Sequence, residues 1–114
     1  MLTKEIVTGA VMLAQASVPA YEGVWYLGSK CEDPRDQTNT MVIKDGAIIG
    51  PGFACYMDNV KVRGPNVWNV IQRCYEGTAP ARTIHFILEV NGPSMTIYDF
   101  ETGRQHSKLA ACPR

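Results

Sequence analysis

Four cysteines, Cys31, Cys55, Cys74 and Cys112, are the side chains with the widest chemical reach in this sequence. Thiols serve as metal ligands, nucleophiles or disulfide partners, and their spacing separates these uses. No Cys-x-x-Cys pair occurs, so no local zinc corner can form. An even count in a short chain behind an apolar leader indicates a disulfide framework instead. The other candidates are sparse. His85, His106, Asp99 and Ser107 are the residue types of a Ser-His-Asp hydrolase or a zinc site, but no spacing puts a base within reach of a nucleophile. Glu32, Asp33, Asp36 and Asn39 offer oxygen ligands without the spacing of a calcium loop. The sequence thus implies no catalytic residue, no metal site and no cofactor, and both histidines read as exposed strand residues.

The elements that must position these groups are short and β-patterned. Residues 41–44 and 47–49 flank Asp45-Gly46, a pair that accepts the positive φ angles of a tight hairpin turn. Residues 53–57 and 59–63 read as two strands, and 21–27, 67–75, 82–90, 95–100 and 104–111 alternate or run apolar between Gly, Pro and Asn breaks. Residues 29–39 are polar and read as a loop. With no helical period beyond residue 20, the pattern predicts an all-β domain: an antiparallel barrel or sandwich of seven to eight short strands.

Parity along those strands sorts the cysteines. Phe53, Cys55 and Met57 share one face of their strand, and Trp68, Val70 and Cys74 share one face of theirs, because side chains alternate with period two. Four cysteines permit three connectivities. Parity favours Cys55–Cys74 inside the core, which leaves Cys31–Cys112 by elimination. By the same alternation Ile84, Phe86 and Leu88 oppose Thr83, His85 and Glu89, so His85 falls on the polar face.

Residues 1–20 have the order of a secretory signal peptide: Lys4 early, an apolar run, then small residues around Ala16 and Ala20. Glu5, Thr8 and Gly9 interrupt that order, and the competing reading is an amphipathic helix kept in the mature protein. The apolar run falls short of the ~20 residues of a membrane span. Residues 21–114 then form a single β domain in an oxidising compartment, periplasmic or extracellular. The chain of 114 residues carries 11 basic and 11 acidic side chains, and loss of a leader holding Lys4 and Glu5 keeps that balance. A neutral chain lacks the basic excess that drives phosphate-backbone binding, so nucleic acid is not an expected partner.

Gly23-Val24-Trp25 at the mature start, Cys31 soon after, Cys55 behind a hairpin, Trp68 to Cys74 followed by Glu76-Gly77, and a terminal Ala-Cys-Pro complete the pattern. This arrangement resembles small exported β-proteins of alphaproteobacteria that begin with a Gly-x-Trp strand and end in Cys-Pro. The resemblance spans the mature chain, implies export and β-architecture, and brings no activity or site residues with it.

Two functional expectations follow. The first is a non-enzymatic module that binds another cell-envelope protein, with Tyr56, Arg73 and Tyr75 as a surface patch of the residue types favoured at interfaces. Ordinary cross-strand packing explains the same residues. The second is a lipocalin-like carrier of a small apolar ligand. Interior volume separates them, and Trp25, Phe53, Trp68 and Phe86 pointing inwards predict a centre filled by side chains.

Overall fold

Each segment between turn residues has one apolar face to bury, and an open sheet would leave two rows of unpaired backbone groups. Closure solves both problems. In the computed structural model, which describes residues 18–113, the strands are β1 (Gly23–Leu27), β2 (Thr40–Lys44), β3 (Ala47–Gly50), β4 (Phe53–Gly64), β5 (Val67–Glu76), β6 (Arg82–Asn91), β7 (Ser94–Asp99) and β8 (Gln105–Ala111). Each pairs antiparallel with the next and β8 pairs with β1, giving a closed up-and-down barrel. Among the described residues there is no helix, and hence none able to cross a membrane. Residues 1–17 of the expected leader lie outside the described residues.

The Asp45-Gly46 hairpin forms as its sequence requires, with φ of 52° and 78°. One boundary differs from expectation. Residues 53–57 and 59–63 are one bent strand, β4, because Asp58 is an extra residue without a register partner between Met57↔Gln72 and Asn59↔Ile71. Such a bulge moves the side chains beyond it to the opposite face. Phe53, Cys55 and Met57 face inwards before it, whereas Val60 and Val62 share the face of Val70 and Trp68 after it. The bulge therefore keeps the apolar parity of β4 in phase with β5.

The middle of the barrel is filled by Ile43, Val70, Leu88, Met95 and Leu109, each at most 1% exposed. One end is closed by Tyr21 and Trp25. The indole Nε1 of Trp25 donates to the Tyr21 carbonyl at 2.8 Å, and the Tyr21 ring meets Trp68 edge-on at 4.9 Å. Phe53, Trp68 and Phe86 are only partly buried and pack against this core from its margins.

Both pairings favoured by parity and elimination are present. Cys55 and Cys74 are directly opposed in the β4–β5 register, and Cys31 in the loop after β1 joins Cys112 just past β8. The Cys112 amide donates to the Val24 carbonyl at 2.9 Å, so residues 28–31 return along β1 and the bridge lies over the β1–β8 closure. Two disulfides indicate folding in an oxidising compartment.

The bridges close loops of unequal length, with sequence separations of 19 and 81. Loss of chain entropy in the unfolded state then favours the native fold by about 3 kcal/mol for the first and about 4.5 kcal/mol for the second. We expect the C31S/C112S pair of substitutions to lower the urea midpoint more than C55S/C74S. The opposite order would mean that local core packing around Cys55–Cys74 outweighs closure of the longer loop.

Candidate functional site

The structure brings Tyr56, Arg73 and Tyr75 together on the outer wall of β4 and β5. Tyr56 is the register partner of Arg73, the tyrosine rings meet at 5.9 Å and 69°, and Arg73 Nη1 donates to Tyr75 Oη at 3.0 Å. Both tyrosines are exposed. The guanidinium is engaged further: its Nε and Nη2 donate to the two oxygens of Asp58 at 2.8 and 3.0 Å. A bidentate clamp of this kind fixes geometry. Here it clips the bulge of β4 to β5.

Of the other chemical readings, His85, Asp99 and His106 line one outer pocket of about 310 Å³ beside Arg82 and Glu101, but no hydrogen bond among the described residues joins these three into a relay. His106 Nδ1 lies 2.8 Å from Ser107 Oγ, but the Asp99 carboxylate is spent on accepting the amides of Glu101 and Thr102 in the β7–β8 turn. His85 lies on the outer face, as parity requires, yet it is not exposed. Phe100 folds back from the turn and stacks on its ring at 3.6 Å and 7°, which buries Nε2 without a partner among the described residues. In the loop after β1, Asp33 accepts from Arg35, and Asp36 accepts from Thr38 and Asn39, so these carboxylates cap turns. Among the described residues no cluster of His, Cys, Asp and Glu is suited to hold a metal ion.

The end of the barrel opposite Tyr21 and Trp25 is different. A cavity of about 300 Å³ opens there, and all eight strands contribute to its wall. The expectation of a filled centre thus holds for the middle of the barrel and fails at this mouth. Met41, Ile48, Ile84, Phe86 and Ile97 form an apolar lining with the Cys55–Cys74 bridge, while Glu76, Arg82, His106 and Ser107 make a polar rim. Glu76 and Arg82 stand 3.7 Å apart and remain well exposed, a pairing of little energetic weight. Gly50 helps to keep the axis open. Its register partner Phe53 lays its ring where a Cβ would stand, 2.3 Å from that position, so the ring lies along β3.

Gln72 is the polar exception inside this lining. It lies on the inward parity of β5 between Val70 and Cys74, is 1% exposed, and its Oε1 accepts no hydrogen bond from the described residues. Glu76 at the rim lies four positions further along the strand, about 13 Å away. The sequence signal was available: one amide among the apolar residues at alternate positions of a strand. The parity reading that paired the cysteines passed over it.

Compared with protein families, curated proteins and solved structures, the chain matches none. The functional reading is therefore carried by geometry.

Acid titration tests the outer network. Hydrogen bonding to Arg73 holds the Asp58 carboxyl below the ordinary aspartate value of 3.8, and turn amides and side chains lower Asp33, Asp36 and Asp99 likewise. Because the folded values are depressed, the stability these groups add is full above the ordinary value and is lost as pH falls through the depressed ones. In a carboxyl-detected NMR titration Asp58 should move up towards 3.8 on Arg73→Gln while Asp36 stays put. Equal shifts at both would show that the clamp is not the cause.

Proposed function

We propose that this chain is an exported, non-enzymatic binding domain that holds a small, largely apolar molecule in the open end of its barrel. The observation that supports this most is the mouth cavity: about 300 Å³, walled by rigid strands and apolar side chains, with few polar groups. Ligand sites in β-barrels favour such mouths, and this volume is at the lower end of their range. It equals roughly ten water-sized groups. Export to the periplasm or medium is supported by the order of the leader, by the two disulfides and by the resemblance to exported Gly-x-Trp…Cys-Pro proteins.

A second reading has its own observation. Tyr56, Tyr75 and the clamped Arg73 form a pre-ordered aromatic and cationic patch, which lowers the entropy cost of docking a protein of the cell envelope. The Asp58–Arg73 pair already serves the bulge, so fewer of the patch's groups are free for a partner. For that reason the mouth ranks first.

The oxidised protein, isotope-labelled at isoleucine and valine methyls, provides the test. Titration with p-xylene should shift the methyls of Ile48, Ile84 and Ile97 around the cavity and leave Val90, beyond it, unmoved. Ser107→Trp, which places a ring at the mouth, should abolish the response. No shift at millimolar p-xylene, or shifts spread over the whole barrel, would overturn the ligand reading.

A further inference from the structure

Gln72 costs the fold more than its position requires. A buried amide with an unmade hydrogen bond carries a desolvation penalty that a methionine or leucine at the same place would avoid. The neighbours offer no relief, since Val70 and Cys74 flank Gln72 on the inward parity of β5, and Met57 and Ile84 are its register partners on β4 and β6. An orphaned polar group inside an otherwise apolar pocket is the arrangement by which a binding site fixes the orientation of a ligand.

Resting on the reading of the mouth as a ligand site, we propose that Gln72 selects the ligand, and that the ligand is a compact apolar molecule with one hydroxyl on its leading end. A hydroxyl both donates and accepts. Oε1 is closed off in the empty barrel, so the amide turns towards the cavity on binding; the hydroxyl then supplies the donor that Oε1 lacks and can also receive from the amide nitrogen, which a carbonyl or a methyl cannot do in both senses. A carboxylate is disfavoured at this depth, because it would be desolvated with no cation beside it: Arg82 and His106 belong to the rim, and Glu76 stands next to Arg82. The ligand therefore enters hydroxyl first, with its apolar body between Ile84, Phe86 and Ile97.

The pair p-cresol and p-xylene isolates this interaction, as the two differ only by hydroxyl against methyl. Each is to be titrated into the full oxidised chain and into Gln72→Met, which keeps the length of the side chain and removes its amide. The ratio of p-cresol to p-xylene affinity should fall about tenfold in the variant, with the intrinsic cost of moving cresol out of water cancelling in the comparison. Thermal stability of the empty variant should rise, because the orphaned group is gone. In the native protein p-cresol should shift the Gln72 side-chain amide resonances further than p-xylene, whose ring current alone acts there, and should slow the exchange of those protons with water, a readout that survives if the variant does not fold. If both probes bind and the ratio is unchanged, the cavity reading stands and the role of Gln72 is overturned. If neither binds, the ligand reading itself fails. A lower melting point for the variant with an unchanged ratio would make Gln72 a structural residue whose amide is satisfied within the fold.

Discussion

Closure of the sheet is the constraint on which the rest of this molecule depends. Eight strands make a ring whose interior is just wide enough for side chains to fill or to leave a small space. Closure requires the short β1 to find β8 from the far end of the chain, with only three register pairs, Trp25↔Ala111, Tyr26↔Ala110 and Leu27↔Leu109. Contacts so distant in sequence carry a high loop-closure cost. The Cys31–Cys112 bridge offsets that cost at the seam itself, and the Cys112 amide bond to Val24 continues the pairing beyond the last residue of β8.

Once the ring is closed, the distribution of side-chain bulk decides which end is open. Tyr21, Trp25 and Trp68 crowd one end with rings, the Trp25 indole donating to the Tyr21 carbonyl, while the other end is lined by isoleucines, a disulfide and a phenylalanine laid against Gly50. A cystine across β4 and β5 holds two backbones together with little projection into the barrel. Position 50 without a side chain has a similar effect on β3. The cavity is thus a consequence of small or flattened residues at particular inward positions, held by covalent and aromatic contacts that resist collapse.

The fold was legible wherever a local period carried it. Alternation gave the strands, Asp45-Gly46 gave the hairpin, and equal parity of Cys55 and Cys74 gave their bond, because a cross-strand disulfide depends only on face and register. What escaped depends on relations that no local period encodes. The break at Asp58 looked like a strand end because a bulge and a turn both interrupt alternation, and only continued pairing with β5 tells them apart. His85 had the right face but the wrong surroundings, since its cover, Phe100, arrives from a turn fifteen residues later. The Tyr56, Arg73 and Tyr75 cluster was legible as a neighbourhood, but its link to the bulge through Asp58 was not. Gln72 was visible in the pattern and was outweighed there by the cysteine two residues on.

The two ends of the barrel also differ in their connections, and this bears on which face acts. The turns on the Tyr21 side, at residues 45–46, 65–66 and 92–93, are as short as hairpins permit. Of the four on the cavity side, only the β3–β4 turn at 51–52 is as short, and the others span residues 28–39, 77–81 and 100–104. Short turns leave a surface with little to vary, whereas longer loops around a rigid mouth are where binding residues are usually placed. The longer loops here are not slack. Asp33, Asp36 and Asp99 cap their turns by accepting backbone amides, Phe100 locks one loop onto β6, and Cys31 ties another to the seam. An opening framed by ordered loops needs little reorganisation to receive a ligand, so the entropy cost of binding falls mainly on the ligand. A small molecule with few rotatable bonds loses least on entering such a site, and that argues for a compact guest over a flexible chain.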